Sequence, residues 1–309
     1  MNILITGGNG FIASHLIKQL HQTFNIAISI RKPIEQNKNI KQIISSNFVE
    51  YDWHKDLQDI DIVIHTISLN HSKDNSWSRY YETNYLITQN LLKFLPKSNV
   101  KKFFYLSTIK VHGEYFKINH ILEKNIETKP YDFYGKSKLI TENLIKEEIS
   151  KMNDIEYCIF RLPMVYGKKK ELNLTKLIFF IKKKIPYLIP NSENKRSILS
   201  INNFCSQINV ILNSKKKLDD IFYLKDEDDF SFCDLKSDII KSLNIKDYSI
   251  KINHKILLFI FICLGKKNLF NKLFGNAVVS FQRTKNYFNL IEKYNYKNEI
   301  REICNYYFK

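Results

Sequence analysis

The first twenty residues constrain the fold of this chain more than any other stretch. An apolar run, Asn2–Thr6, is typical of a short buried strand, and the glycine-rich turn Gly7–Gly10 follows it directly. Apolar residues then recur at helical spacing from Phe11 to Leu20. A strand, a glycine turn and a helix in this order place free backbone N–H groups where they favour a diphosphate. The segment therefore predicts a dinucleotide site, with an ordinary strand–helix turn as the alternative.

Each residue of the turn has an expected task. Gly7 permits the tight turn, Gly10 lets the backbone approach the phosphates, and the small Ala13 lets the helix pack against the strand. Phe11 and Ile12 open the helix, so their backbone N–H groups are expected to face the cofactor.

The end of the second predicted strand bears on which dinucleotide is bound. NAD sites usually carry an acidic residue there, which accepts a hydrogen bond from the ribose, whereas this chain has Arg31 and Lys32. Two cations suit a 2′-phosphate, so the sequence predicts a preference for NADP(H), with NAD as the alternative. Asp52, after the third predicted strand, is a candidate contact to the adenine end, or else a surface turn residue.

Strand-like and helix-like runs alternate through the first half of the chain. Such alternation predicts an α/β fold with a doubly wound parallel sheet of the Rossmann type. We expect a dinucleotide-binding domain over residues 1–165. The pattern then loosens, which indicates a smaller, mixed C-terminal lobe over residues 166–309 that binds substrate, with some segments returning to the first domain. The predicted strands of the first half are Asn2–Thr6, Ile26–Ile30, Phe48–Tyr51, Ile60–Ile67, Lys102–Ser107 and Ile155–Leu162.

Composition excludes several classes of protein. The net charge of +17 over 309 residues comes from lysines spread along the chain, without a recognisable nucleic-acid module, so we expect no nucleic-acid partner. Five scattered cysteines without a Cys-x-x-Cys pair predict reduced thiols and no metal site. No secretory leader opens the sequence, and the longest apolar run, Ile256–Leu264, is too short to cross a bilayer. We therefore expect a cytoplasmic protein without a transmembrane segment.

Two hydroxyls and a Tyr–Lys pair carry the expected chemistry. Ser107 and Thr108 end a predicted parallel strand, and α/β sheets bind ligands at that edge. Tyr134 and Lys138 lie four residues apart, so they share one helix face. A lysine cation beside a phenol lowers its pKa, which suits the tyrosine to general acid or base catalysis. Lys138 can also hold the nicotinamide ribose, and Thr108 can hydrogen-bond the reacting oxygen.

The spacing of this pair carries no weight alone, because a chain so rich in both residues contains it by chance. Tyr51, Tyr134 and Tyr166 each precede a lysine by four residues. Context selects Tyr134, since it opens a predicted helix and follows the strand that carries the two hydroxyls.

Together these motifs resemble those of the extended short-chain dehydrogenase/reductases, the family of nucleotide-sugar epimerases, dehydratases and reductases. The resemblance also includes Asp61–His65 on the fourth predicted strand, Asn84–Leu92 on the following helix, and Arg161–Gly167. With Arg196–Asn203, the last segment is similar to the O-antigen-cluster subgroup. Its members are 4-epimerases of UDP-sugars or reductases of 4-keto-6-deoxy nucleotide sugars.

The resemblance implies further site residues and an assembly. Arg196 would reach the substrate diphosphate, with a surface arginine as the alternative. Asn173 would contact the nucleotide or the sugar, with a helix N-cap as the alternative. The family also suggests a homodimer.

Departures from the family pattern narrow the activity. Sugar 4,6-dehydratases carry an acidic pair just after the active threonine, and Ile109 and Lys110 cannot perform that acid–base step. Met164 stands where many epimerases have an asparagine, and Arg31 replaces the acidic residue of NAD sites.

These features favour an NADP(H)-dependent reductase that acts on the 4-keto group of a dTDP- or UDP-linked 4-dehydro-6-deoxyhexose, for surface polysaccharide synthesis. Tyr134 would protonate the developing alkoxide, with help from Thr108 and Lys138. One alternative is a UDP-sugar 4-epimerase with tightly bound NAD, acting on glucose or N-acetylglucosamine. Another is a non-catalytic NADP-sensing protein.

Overall fold

The structure is a computed structural model that describes residues 1–34, 40–70, 75–113, 116, 120–169, 171–191 and 194–308. The chain divides into two compact units. The first unit comprises Met1–Gly113, Lys124–Leu162 and Ile208–Tyr223, and the second comprises Glu114–Glu123, Pro163–Gln207 and Leu224–Lys309.

The elements are numbered in chain order. The strands are β1 Asn2–Thr6, β2 Asn25–Ile30, β3 Lys41–Ile44, β4 Ile62–His65, β5 Lys102–Thr108, β6 Ile121–Leu122, β7 Glu156–Leu162, β8 Met164–Tyr166, β9 Tyr187–Asn191, β10 Arg196–Ser200, β11 Asp220–Tyr223, β12 Asp229–Phe230, β13 Ser249–Asn253 and β14 Val278–Val279. The α-helices are α1 Phe11–Leu20, α2 Trp77–Tyr80, α3 Ile87–Phe94, α4 Phe133–Ser150, α5 Asn173–Lys182, α6 Ile201–Leu212, α7 Phe232–Leu243, α8 His254–Cys263, α9 Lys267–Phe274, α10 Gln282–Phe288 and α11 Tyr296–Phe308. A π-helical segment and two 3₁₀ turns complete the set, at Tyr81–Leu86, Leu95–Lys97 and Ile109–His112.

The first unit is built on a seven-stranded sheet in the order β11-β7-β5-β4-β1-β2-β3, and its neighbouring strands all run parallel. Its central strands are buried along almost their whole length, as expected for a parallel sheet covered on both faces. The strand order reverses between β1 and β4, and α/β proteins bind ligands at the carboxyl ends of strands beside such a reversal. The predicted Rossmann-type fold is confirmed.

The edge strand of this sheet is a correction to the prediction. β3 is Lys41–Ile44, and Phe48–Tyr51 is not a strand. Phe48 instead stacks on the buried ring of Trp53, with ring centroids 5.3 Å apart. The Asn90 side chain donates hydrogen bonds to the carbonyls of Phe48 at 3.2 Å and Tyr51 at 2.8 Å, in place of a strand ladder. Aromatic burial therefore accounts for the apolar run that was interpreted as a strand.

The second unit contains smaller sheets and several helices. Its largest sheet has the order β12-β10-β8, with a parallel pair β10–β8 and an antiparallel pair β10–β12, so it is mixed. Two further pairs, β9–β13 and β6–β14, are parallel. One apolar core of this unit is shared by α5, α7, β10 and α11 and includes Leu174, Ile178, Ile198, Ile239 and Ile300.

Within the described residues, no helix combines the length and apolar character needed to cross a membrane. No group of His, Cys, Asp or Glu side chains in the same residues could hold a metal ion. The five cysteines are free thiols.

Candidate active site

The glycine turn after β1 has a backbone that only glycine fits well. Gly7 has a φ of +73°, and a Cβ atom there would lie 3.1 Å from Ile67 Cγ1 and 3.3 Å from its backbone. The Gly10 N–H group donates to the Gly7 carbonyl at 2.8 Å, and a Cβ on Gly10 would meet that same oxygen at 3.1 Å. The turn therefore leaves a bare backbone at the sheet edge, as close approach to a diphosphate requires.

The N-terminus of α1 follows this turn directly. Gly10 is its N-cap, and among the described residues no side chain caps the helix end. The first turn, with Phe11 and Ile12 partly exposed, contains no acidic residue. Ala13 is fully buried, so its small side chain lets α1 pack against the sheet. These features fit a dinucleotide, because an uncapped helix N-terminus favours phosphate oxygens.

The end of β2 lies beside the same turn. A Cβ on Gly8 would meet Ile28 and Ile30 side-chain atoms at 3.1 Å, so the loop packs on this strand. Arg31 and Lys32 follow β2 directly and are exposed, which leaves both cations available to a ligand at this edge. Asp52 accepts a hydrogen bond from the His54 backbone N–H at 2.9 Å, as a turn residue does.

Thr108 ends β5 at the carboxyl edge of the sheet and is almost buried. It is the N-cap of the 3₁₀ turn Ile109–His112, and its Oγ1 atom accepts a hydrogen bond from the Lys110 N–H at 3.3 Å. Thr108 lies close enough to Tyr134 to lower the pKa of the phenol. The structure therefore brings together the two residues that the sequence assigns to the reacting oxygen.

The start of α4 explains how Tyr134 reaches this edge. Asp132 is the N-cap and accepts from the Gly135 N–H at 2.7 Å, and its other oxygen pairs with Lys110 Nζ at 2.7 Å. A Cβ on Gly135 would lie 2.7 Å from the Lys110 carbonyl, which is too short for any other residue without a backbone shift. Gly135 thus lets the first turn of α4 approach β5, and Tyr134 lies on that turn.

The ionisation of Tyr134 differs from the expectation. Burial raises the pKa of its phenol above the ordinary value, the nearby hydroxyls of Ser68 and Thr108 lower it, and the Asp132 charge raises it. The expected lowering by Lys138 is not found, because the ammonium group points elsewhere. The phenol is therefore protonated at neutral pH in this state of the protein.

Lys138 is fully buried one turn after Tyr134. Its Nζ donates to the Leu106 carbonyl at 2.7 Å and lies 4.4 Å from the centroid of the Tyr105 ring. Burial lowers the pKa of Lys138 to about 7, and the charge of Glu142 acts in the opposite direction. Lys138 is thus poised between its charged and neutral forms near neutral pH.

Sequence reasoning missed the group that supports Lys138. Glu142, one further turn along α4, accepts from Ser107 Oγ at 2.5 Å and from Arg161 Nη2 at 2.7 Å and Nε at 3.1 Å. Both partners of this ion pair are buried. Glu142 therefore connects α4 to β5 and β7 through these bonds. In the sequence, the one sign of this role is an acidic residue four positions after Lys138 on a helix with a buried face.

Ser68 is a second residue that sequence reasoning missed. It lies in the loop after β4, and its buried Oγ forms no well-aligned hydrogen bond within the described part of the chain. It still lies near enough to Tyr134 to lower the pKa of the phenol. The Asn84 amide holds this loop by accepting from Leu69 N–H at 2.7 Å and donating to Ser137 Oγ at 2.8 Å. Only the folded loop reveals Ser68, because it belongs to no sequence motif.

The remaining candidates, Asn173 and Arg196, belong to the second unit. Asn173 is the first residue of α5 and Leu172 is the N-cap, so the alternative role of Asn173 as an N-cap is wrong. Arg196 lies at the start of β10, and its Nη1 donates to the carbonyls of Asn271 at 3.3 Å and Gly275 at 3.0 Å, at the C-terminus of α9. The guanidinium is thereby held in place and is not a freely solvated surface group.

Comparison with known proteins extends this geometry to a family. Residues 3–221 match the model of the NAD dependent epimerase/dehydratase family. UDP-glucose 4-epimerase of Vibrio cholerae is 25% identical over 291 residues, which cover 92% of this chain and 88% of that protein. The N-acetyl-alpha-D-glucosaminyl-diphospho-ditrans,octacis-undecaprenol 4-epimerase of Escherichia coli O157:H7 is 24% identical over 258 residues. These residues cover 79% of this chain and 73% of that protein.

Solved structures show the same fold. UDP-glucuronic acid 4-epimerase from Bacillus cereus, in complex with NAD, superposes with a TM-score of 0.80 at 20% identity, over 99% of this chain and 96% of that one. UDP-N-acetylglucosamine 4-epimerase from Bacillus cereus gives a TM-score of 0.78 at 19% identity, over 99% and 96%. The match of the family model and the arrangement of the site agree, and the chain belongs to the NAD dependent epimerase/dehydratase family of nucleotide-sugar enzymes.

Proposed function

We propose that this protein is a UDP-sugar 4-epimerase that inverts the configuration at C4 of a glucose- or N-acetylglucosamine-type sugar. The relatives and solved structures described above include several 4-epimerases, and they favour this activity over the reduction of a 4-keto group that the sequence predicted. The observation that carries the proposal is the convergence of Thr108 and Ser68 on the Tyr134 phenol at the carboxyl edge of the sheet. The product would supply surface polysaccharide synthesis.

The glycine turn would hold the cofactor. Gly7, Gly10 and the first turn of α1 would bind its diphosphate, and Lys138 would hold the nicotinamide ribose. When bound, the nicotinamide supplies hydride chemistry at sugar C4, which 4-epimerisation uses once in each direction.

Tyr134 would manage the proton at the sugar 4-oxygen. Its Oη takes the proton when the hydroxyl is oxidised and returns it when the ketone is reduced, so no net redox change results. Thr108 orients that oxygen through its hydroxyl. Ser68 would donate a hydrogen bond to Tyr134 Oη once the phenolate forms, which would stabilise that form and offset part of the effect of burial.

Lys138 would set when Tyr134 can act as a base. A cation near the phenol lowers its pKa, and a shift of the ammonium group from the Leu106 carbonyl toward the active edge would provide that charge. Glu142 favours the protonated form of Lys138 and so keeps the charge available near neutral pH.

Arg196, Asn173 and Asp52 take the remaining binding roles in this proposal. We assign Arg196 to the UDP diphosphate, because a planar guanidinium pairs with phosphate oxygens through two parallel hydrogen bonds. Asn173 is assigned to the nucleotide or sugar, and Asp52 to the adenine end of the cofactor. A homodimer and a cytoplasmic location remain part of the same proposal.

Cofactor content tests the proposal and separates it from its competitors. The purified protein is denatured, any released nucleotide is identified by chromatography, and cofactor-free protein is titrated with NADH and NADPH. Near-stoichiometric NAD⁺ that leaves only on denaturation supports the epimerase. An empty site that prefers NADPH contradicts it and supports the reductase, which is the activity favoured by Arg31 and Lys32.

The same cofactor titration on Arg31→Ser tests the role of Arg31, because this change removes the cation without adding an acid. If the site uses NADP(H), this variant loses affinity for NADPH and keeps its affinity for NADH. If wild type and variant bind each cofactor with equal affinity, Arg31 does not contact the cofactor.

Tyr134→Phe separates an enzyme from a non-catalytic sensor. A sensor would keep its cofactor response after this change.

A further inference from the structure

The second unit carries exposed apolar side chains on α8, in the loop after it and at the start of α9. We call this set the α8 face and define it by five side chains that are each more than two-fifths exposed: Ile256, Phe259, Ile262, Leu264 and Leu269. Phe259 is 66% exposed and Leu264 63%, which is unusual for residues of this size. Large apolar side chains that are exposed close together are a feature of interaction sites.

The α8 face is the outward side of a helix whose inward side is already packed. Leu257 is buried and belongs to a small core with Phe270 and Phe274 of α9. Ile256 and Phe259 are three residues apart, so they share the other side of the helix. The exposed residues are therefore surplus to the folding of this region, because their removal leaves its core intact.

Cations frame the α8 face at both ends. Lys251 and Lys255 lie before or at the start of α8, Lys266 and Lys267 follow its end, and all four are exposed. Residues 248–291 contain no Asp or Glu, although 31 acidic residues occur in the chain. The surface is thus apolar at its centre and positive at its margins, with no acidic residue in the segment that forms it.

We infer that the α8 face docks this protein on an anionic phospholipid membrane. The apolar side chains would enter the boundary between headgroups and acyl chains, and the lysines would lie at the level of the lipid phosphates. The ten residues of α8 are far too few to span a bilayer, so the helix lies on the membrane. This inference does not rest on the proposed function.

Charge argues against a second copy of this chain as the occupant. In a two-fold contact the same patch faces itself, so the lysines of one copy would approach those of the other. An anionic lipid surface instead satisfies the apolar centre and the positive margin together.

Vesicle flotation tests the inference with the full-length protein and without substrate. Vesicles of phosphatidylcholine alone are compared with vesicles that also contain phosphatidylglycerol, at low and high salt. We expect binding to the anionic vesicles, weakened by salt. Lys255→Ser with Lys266→Ser should weaken it about thirtyfold, and Phe259→Ser with Leu264→Ser should weaken it at least about tenfold.

Matched controls use exposed residues outside the α8 face. Ile291→Ser, at a side chain 76% exposed, and Lys97→Ser with Lys297→Ser should bind as wild type does. Far-UV circular dichroism and melting temperature confirm that each variant is folded, and turnover of a soluble UDP-sugar is followed in parallel.

Three results would overturn the inference. One is the absence of binding to anionic vesicles, and another is equal binding by wild type and the α8-face variants. The third is a loss confined to the lysine variants, which would mean that binding is electrostatic only and that the apolar side chains of the α8 face do not enter the membrane. Each result is independent of whether the protein epimerises a sugar.

Discussion

The active edge of the first unit and the α8 face of the second depart from the usual distribution of side chains in opposite ways. At the active edge, ionisable groups are buried: Lys138 is 1% exposed, Glu142 0% and Arg161 2%. On the α8 face, apolar side chains are exposed. Charged residues are almost never fully buried unless they are paired, and large exposed apolar patches are rare, so both departures cost stability. Such departures are typical of functional sites, so the comparison selects these two regions for experiments on function.

At the active edge, most of the buried polar groups have hydrogen-bond partners. The Glu142 carboxylate accepts three hydrogen bonds from Ser107 and Arg161, which offset the loss of hydration. Ser68 beside Tyr134 and Tyr105 beside Lys138 are exceptions in that region, because each has a buried hydroxyl with no well-aligned bond among the described residues. An unsatisfied group inside an otherwise satisfied network is where a ligand is expected.

The largest expected effect is that of Tyr134→Phe at the active edge. Removal of the only atom assigned to proton transfer should lower kcat by roughly a thousandfold. Tyr51→Phe is the matched control, because Tyr51 has the same spacing to a lysine but donates its hydroxyl to Asp56 at 2.7 Å. Steady-state epimerisation of UDP-glucose measures both. Equal losses of kcat in the two variants would contradict the selection of Tyr134 over Tyr51 as the catalytic tyrosine.

Glu142→Gln should act on stability and on the pH profile. The change leaves Arg161 buried without its carboxylate partner, which should cost about 3–5 kcal/mol in denaturant unfolding. Glu147→Gln on the same helix is the control and should change stability little, since its pair with Lys151 is exposed.

The pH dependence of the same variant follows from Lys138. The negative charge of Glu142 raises the pKa of Lys138, against the effect of burial. Without that charge the ammonium group loses its proton at lower pH, so the alkaline limb of the pH profile of kcat should shift to lower pH. Tyr105, which lies against the Lys138 ammonium, and Tyr134 titrate well above this range and keep their charge state. An unmoved limb, with lowered stability, would make Glu142 a purely structural residue.

Ser68→Ala should lower kcat by roughly tenfold, the value of one hydrogen bond to a charged group. Its melting temperature should stay that of wild type, because the free protein gains no well-aligned bond from this hydroxyl. Ser107→Ala provides the contrast, since it removes a bond to buried Glu142 and should lower the melting temperature. A fall in stability without a change in kcat would show that Ser68 supports the loop only.

The smallest expected effect lies on the α8 face. Phe259→Ser should change the free energy of unfolding by no more than about 0.5 kcal/mol and should leave turnover of a soluble UDP-sugar unchanged. Leu257→Ser, two residues earlier and on the packed side of α8, should unfold the region, because Leu257 is buried in its small core. Equal destabilisation by both changes would mean that the α8 face belongs to the core.

Local patterns explain which parts of the fold the sequence predicts. The glycine turn and α1 are contiguous in the chain, so their order alone predicts the strand–turn–helix that the structure contains. β3 escaped prediction because Lys41–Ile44 is a short edge strand that owes its register to β2, and the neighbouring aromatic residues gave the stronger apolar signal. Strand pairing at an edge depends on distant residues, which a single sequence does not display.

The same reasoning applies to the site. Tyr134, Lys138 and Thr108 could be selected from motifs, but the direction of the Lys138 ammonium toward Leu106 depends on how α4 packs on β5. Ser68 joins them only through the loop that Asn84 holds. Residues that act through tertiary packing carry no periodic or spacing signal of their own.

Interconversion of UDP-glucose and UDP-galactose tests the central claim most directly. Each sugar is incubated separately with the purified protein, without added cofactor or reductant, and both epimers are resolved by chromatography. The account predicts that the two reactions converge on the same mixture and that Tyr134→Phe abolishes the change. If UDP-glucose, UDP-N-acetylglucosamine and their 4-epimers all remain unchanged, while a nucleotide-linked 4-keto-6-deoxy sugar consumes NADPH, the protein is a reductase and the account is contradicted.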